Sequence, residues 1–369
     1  MTLDAGQPTW LEIDLEAIRR NAQRMREIAG VGLMAVVKAG AYGHGLAPTA
    51  RAAAHGGAGW LGVARVDEGL ELRRSALETP ILILGPTPAD RLPEALEARL
   101  RLTVWSEQHL EAAAAAGSRH GDAFVHVKVD TGMNRIGARP EVVLDLVRRA
   151  SRMTSLRVEG VYTHFACADG ADRRITERQN DQFADLVRAL ESNGLRPPLV
   201  HAANTAAALA YPETRWDLVR SGIGLFGMHP SPEVRLPNGF RPALEWKTRL
   251  TRVARVPAGQ GVSYGHRYVT RREERIGTIP VGYGDGFRRV EGNQVLIAGR
   301  KVPVVGTVCM DQCMVQLDSV PAADAGDEVV LIGTQGSETI TAEDLAGLWG
   351  TINYEVTCGI TERVAWLYR

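Results

Sequence analysis

The chain has 369 residues, room for one large domain or two ordinary ones. Its 43 basic and 43 acidic residues cancel and its pI is 7.1, which removes the electrostatic case for nucleic acid or an anionic membrane as partner and leaves small molecules. No apolar run approaches the roughly 18 residues of a membrane span, and "MTLDAGQPTW" has neither the basic start nor the apolar stretch of a signal peptide, so a cytoplasmic protein is expected.

Taken in chain order, short β-branched runs alternate with helix-periodic segments from residue 33 to about 227. The predicted strands are 33–38, 60–65, 81–85, 102–106, 123–130, 158–164, 199–204 and 217–226. Among the intervening segments, "DLEAIRRNAQRMREIAG" and "PEVVLDLVRRAS" place apolar residues at i, i+3, i+4 spacing, as amphipathic helices do. Apolar strands in series with helices mean a parallel sheet covered by helices, and eight such units predict an α/β fold of the (β/α)8 (TIM) barrel type, with an open doubly wound sheet as the alternative. The proline-rich "HPSPEVRLPNGFRP" (229–242) marks a linker. Beyond it, short strands between Gly and Pro turns predict a C-terminal all-β domain, interrupted by one helix at "TAEDLAGLWG" with Thr341 as its cap. The expected division is a barrel over 1–238 and a β domain over 239–369. Cys167, Cys309, Cys313 and Cys358 form no C-x-x-C pair and are read as reduced thiols, with no metal site.

Active sites of such barrels lie at the C-terminal ends of the strands. There the predicted strands place Lys38, Lys128, Asp130, His164, His201 and Asn204, with Arg220 inside the last strand. A single lysine at a strand end is ordinarily a solvated charge and a single histidine a packing residue; their coincidence on one rim argues otherwise. A lysine in a shielded pocket suits Schiff-base chemistry, which points to carbonyl substrates or pyridoxal phosphate. In "RSGIGLFG" (220–227), Gly222, Ile223 and Gly224 leave backbone N–H groups open to an anion, beside a helix start at Asn204-Thr205.

"VVKAGAYGHG" resembles the cofactor-lysine motif of the alanine racemase family. The resemblance continues through "VKVDTGMNRIG", "VYTHFACAD", "HAANTAAAL", "VRSGIGLFG", "VSYGHRY", "PVGYGDGF", "VGTVCMDQCMV" and "INYEVTCGITERV", nearly the whole chain. It implies a barrel-plus-β-domain enzyme that uses pyridoxal 5'-phosphate to interconvert L- and D-alanine, for peptidoglycan, as a homodimer with shared active sites. Lys38 would hold the cofactor and act as one base, with Tyr264 of the partner subunit as the other. Tyr42, Thr205, Gly222, Ile223 and Tyr354 would bind the phosphate, with Asn204 at the adjoining helix start. Arg220 would face the pyridine nitrogen, and His164 would link it to Tyr264. Arg135 and Met310 would meet the substrate carboxylate, Lys128 would carry a carbamate, and Asp169, Tyr283 and Tyr354 would line the entrance.

Four positions depart from the family pattern. Gly40 replaces an asparagine, with the expected loss of a polar contact, and Thr205 replaces serine but keeps the hydroxyl. Phe226 stands for tyrosine and Thr307 for an entrance arginine, so a looser gate and a racemase of broader specificity, such as for serine, form the alternative. An amino-acid decarboxylase on the same plan would keep a carboxylate where Arg220 stands. A non-catalytic pyridoxal-phosphate carrier would not need the β domain.

Overall fold

The computed structural model describes residues 8–369, beginning with a strand, β1 (Thr9–Ile13), whose five residues are all buried. Strand β1 pairs antiparallel with Leu244–Arg249, Trp10 opposite Lys247, and parallel with Ala365–Tyr368, Trp10 opposite Ala365. Its Glu12 accepts bonds from Trp10 Nε1 and Lys247 Nζ, each at 3.0 Å, and pairs with Arg369 at 2.7 Å. Burial works against this carboxylate, yet those bonds prevail and hold its pKa below the ordinary value. The chain divides into Glu16–Arg241 and a second unit made of Pro242–Arg369 with the segment before Glu16. Strand β1, N-terminal to the barrel strands, thus belongs to the same compact unit as the C-terminal β strands. A pairing between residues 235 positions apart leaves no local pattern to read.

In Glu16–Arg241, eight parallel strands follow: β2 (Gly32–Val36), β3 (Trp60–Val63), β4 (Ile81–Ile83), β5 (Leu100–Val104), β6 (Ala123–Lys128), β7 (Leu156–Tyr162), β8 (Leu199–His201) and β9 (Leu218–Ser221). Their order is β8-β7-β6-β5-β4-β3-β2-β9. Two backbone bonds draw the ends together, Asp217 N–H to Val200 O at 3.0 Å and Arg220 N–H to Ala203 O at 2.9 Å, so the sheet is a nearly closed barrel. Each predicted strand is present. The eighth stops at Ser221, where Ile223–Phe226 turns into a 3-10 helix. Helix Pro140–Ala150 buries Val143, Leu146 and Val147, each contributing about 1.5–3 kcal/mol relative to exposure.

The second unit is a largely antiparallel sheet in the order Arg252–Val256, Glu274–Ile279, Cys313–Gln316, Arg300–Val305, Gln294–Ile297, Glu328–Gln335, Leu244–Arg249, β1, Ala365–Tyr368. Helix Ala342–Trp349 starts where predicted, Thr341 Oγ1 accepting the Asp344 N–H at 3.0 Å. A second helix, Asn353–Cys358, was not expected. With six residues it is too short to show periodicity. Gly261–Val262 and Tyr268–Val269 form a separate hairpin around Tyr264.

Candidate functional site

Lys38 stands two residues past the end of β2 at the barrel rim, and the backbone beyond it is unusual. Ala39, Gly40, Ala41 and Tyr42 are all left-handed, with φ of 55–59°. Such a turn is costly for residues with a Cβ and must be imposed from outside. Glu68 helps impose it: Oε1 accepts the Ala39 N–H at 2.6 Å, while Oε2 accepts those of Ala64 and Arg65 at 2.7 and 3.1 Å. One carboxylate thereby ties the end of β2 to the end of β3. Gly40 faces open space. Asparagine and glycine are the residues that tolerate this conformation, so the departure at 40 conserves backbone geometry.

The turn delivers Tyr42 to the loop after β9. A Cβ on Gly222 would lie 2.2 Å from Tyr42 Oη, so only glycine fits. Gly222 N–H donates to Thr205 Oγ1 at 3.2 Å, which also lies 3.2 Å from Ser221 Oγ. Asn204 Oδ1 caps Thr205–Ala210 by accepting the Ala207 N–H at 2.9 Å. Tyr42, Thr205, Ser221 and Gly222 thus converge, as an anion cradle requires, with Ile223 next in the chain.

Arg220 is buried beside this cradle. Its Nη2 donates to Thr163 O and Ala202 O, each at 2.8 Å, and to His164 Nδ1 at 3.1 Å, while Nη1 donates to His201 Nδ1 at 3.0 Å. No carboxylate among the described residues pairs with it. Burial lowers its pKa to about 10, so it stays protonated at neutral pH.

A guanidinium has no acceptor, and that fixes the protons of its neighbours. His164 and His201 must accept at Nδ1 and carry hydrogen on Nε2. His201 Nε2 then donates to His126 Nδ1 at 2.9 Å, which places the His126 proton on Nε2, 3.5 Å from Glu159 Oε2. Glu159 in turn meets Arg101 at 3.2 Å. Burial, reinforced by the Arg220 charge, pushes His164 and His201 well below the ordinary histidine pKa, and burial lowers His126. Tyr162 stacks on His201 at 4.6 Å, and burial raises its pKa to about 12. His126, Tyr162, Glu159 and Glu68 escape sequence reading; only polar residues inside apolar strands hinted at the first two.

Lys128 is buried, its Nζ 4.5 Å from the Tyr162 ring centroid, with no ion pair among the described residues. Burial, then the Arg220 and Arg135 charges, hold its pKa well below the lysine value. Arg135 itself is exposed, on the loop that Asp130 Oδ1 caps by accepting three N–H groups, those of Gly132, Met133 and Asn134. Asp169 is exposed.

In the β unit, Tyr264 is 71% exposed, Met310 52% and Tyr283 45%. Tyr283 N–H donates to Cys309 O at 3.0 Å and Gly284 N–H to Met310 O at 2.8 Å, which places Tyr283 beside Met310. Tyr354, half-buried, lies on helix Asn353–Cys358. Phe226 and Thr307, the positions behind the expected looser gate, both point into the fold. Phe226 is fully buried against Tyr42 and His44, and Thr307 is buried with its hydroxyl on Tyr264 O at 3.0 Å. Among the described residues no cluster of His, Cys, Asp or Glu could hold a metal, and no helix is long and apolar enough to cross a membrane.

Residues 13–230 match the family model "Alanine racemase, N-terminal domain" and residues 243–368 the "Alanine racemase, C-terminal domain". The chain is 47% identical to an alanine racemase of Symbiobacterium thermophilum, over 100% of this chain and 99% of that one. A second, from Desulfovibrio desulfuricans, is 42% identical over 98% of each. Among solved structures, an alanine racemase from E. faecalis superposes with a TM-score of 0.95 at 38% identity, covering 100% of both chains. One from Bacillus anthracis, with bound L-Ala-P, gives 0.93 at 38% identity, covering 99% of this chain and 96% of that one.

Buried His126 and His201, with half-buried His164, make stability pH-dependent with a definite sign. Their folded pKa values lie below the unfolded value of about 6.5, so on acidification the unfolded chain takes up protons that the folded one refuses. Their contribution is complete above that value and is lost as pH falls. Urea unfolding between about pH 8 and pH 5.5 is expected to show stability declining at the acid end, by up to about 1.4 kcal/mol per pH unit for each histidine still neutral.

Proposed function

Since the chain belongs to the alanine racemase family and has that family's isomerase activity, we propose that it interconverts L- and D-alanine by two bases. Lys38 works from one face of Cα and Tyr264 of a second copy from the other, supplying D-alanine for peptidoglycan. The observation that carries this reading is the exposure of Tyr264, 71%, on a hairpin, where a second copy could reach it. Met310 and Ile352, 52% and 60% exposed, add apolar surface of the kind a homodimer would cover.

Pyridoxal 5'-phosphate fits the barrel rim. The Tyr42–Thr205–Gly222 cradle, closed to any Cβ at Gly222, is matched to a phosphate, with Ile223 N–H beside it and Asn204 fixing the turn. Arg220 offers donors and no acceptor, as a pyridine nitrogen requires, and His164 lies next to it. Lys38 would hold the aldehyde carbon. When bound, the cofactor supplies an electron-withdrawing system that acidifies the substrate Cα–H.

The chain's own groups supply the rest. Lys38 Nζ removes or returns a proton on one face, and Tyr264 Oη does so on the opposite face, so the substrate need not rotate between the two transfers. Arg220 retains its proton and would offer the ring nitrogen a hydrogen bond without giving up that proton, which would favour return of the substrate proton to Cα. Arg135 and the Met310 N–H of the second copy would hold the substrate carboxylate. Burial and the neighbouring Arg220 and Arg135 charges lower the Lys128 pKa, which favours the free amine that adds CO2: the N–C bond would form as a C=O π pair moves onto oxygen, the amine proton would pass to solvent, and the carbamate oxygens would orient Arg135.

Tyr264→Phe in D2O is expected to slow racemisation by about 10²–10⁴-fold while solvent deuterium still enters Cα of one enantiomer with retention; unchanged racemisation, or equal loss of exchange from both enantiomers, would contradict the two-base assignment. Native mass spectrometry in bicarbonate buffer should show one added CO2 per chain that Lys128→Ala lacks, and an identical mass for both would remove the carbamate.

A further inference from the structure

The backbone that carries Tyr264 is strained on both sides. Ser263 has φ 66° and ψ −174°, a region occupied almost only by glycine, Gly265 has φ 72°, and His266 has φ 45°. Gly265 adopts its positive φ freely, but a two-residue pairing, Gly261–Val262 with Tyr268–Val269, is too short to impose the Ser263 and His266 conformations. Something else must hold them.

The segment Gly306–Cys309 lies directly on this loop. A Cβ on Gly306 would fall 2.6 Å from Val262 O and 3.0 Å from Ser263 Cβ, so the two segments are pressed together. Across that contact run two hydroxyl bonds in opposite directions. Ser263 Oγ donates to Thr307 O at 2.6 Å, and Thr307 Oγ1 donates to Tyr264 O at 3.0 Å. Cys309 Sγ, 3.4 Å from Ser263 Oγ, backs the pair. Thr307 is buried, so its bond is not shared with bulk water.

We propose that Ser263 and Thr307 are positioning residues for the racemisation, a reciprocal hydroxyl clamp that forces the strained turn and fixes where the Tyr264 hydroxyl stands. The proposal rests on the reading of Tyr264 as a base. Threonine at 307 then has a definite role: its side chain turns inward to bind the catalytic loop. Thr307 Oγ1 holds the Tyr264 carbonyl directly, so loosening that grip moves the phenol. A displacement of about 1 Å from a reacting atom can cost about a hundredfold in rate.

Four variants of the holoenzyme test this, beside Tyr264→Phe as the reference. Thr307→Val keeps the shape and removes the hydroxyl. It is expected to lower kcat by about tenfold to a hundredfold with KM within about twofold, while one enantiomer keeps its Cα exchange with retention. Thr307→Ser should restore most of kcat. Ser263→Ala retains the strain without the clamp, whereas Ser263→Gly loses the bond but relieves the strain, so the glycine variant should be the more active, opposite to the order expected if Ser263 only filled space. Amide exchange of the 261–269 segment in the cofactor-free protein should quicken in Thr307→Val, a readout independent of turnover and of folding elsewhere. Loss of inversion in Tyr264→Phe with wild-type kcat and wild-type amide exchange in Thr307→Val would overturn the clamp and leave the base assignment standing. Full inversion in Tyr264→Phe would overturn the base assignment itself.

Discussion

A buried guanidinium with no carboxylate beside it sets the terms for the barrel interior. Arg220 can only donate, so every group that touches it must accept, and Thr163 O, Ala202 O, His164 and His201 do so. The consequence propagates: fixing His201 fixes His126, and fixing His126 leaves an N–H that needs Glu159. An aspartate at position 220 would reverse the two histidine bonds and leave Thr163 O and Ala202 O without a donor. The polarity of the site is therefore built into the strands β6, β7, β8 and β9, and the exposed loops need not supply it.

The rim of the barrel solves a different problem, holding backbone where it does not want to be. Four successive left-handed residues after Lys38 are stapled by Glu68 and sealed by Tyr42 lying on Gly222. The loop around Tyr264 repeats the arrangement with hydroxyls in place of a carboxylate. At both positions of proposed proton transfer, strain is held by a short polar contact from a neighbouring segment, which favours one placement of the reactive group over many.

Much of this was legible in the sequence, for physical reasons. Strands covered on both faces read as apolar runs, so all eight barrel strands could be found. Chemistry needs polar atoms at strand ends, so Lys38, His164 and Arg220 stood out against those runs. What could not be read depends on distant partners. Strand β1 looks like any short apolar segment until its mates at 244–249 and 365–368 are known. Glu68 resembles a surface carboxylate in a helix's first turn. Thr307, judged by the arginine it replaces, suggested an open gate, and only its burial shows that it faces inward.

The central claim is that each active site takes Lys38 from one chain and Tyr264 from another. Co-expressing Lys38→Ala and Tyr264→Phe chains in equal amounts tests it most directly. Random pairing makes half the dimers hybrids, each with one intact site, so about a quarter of wild-type activity should return although each variant alone is nearly inactive. Activity no higher than that of the separate variants, from a preparation shown to contain hybrids, would mean that the two residues do not meet across chains.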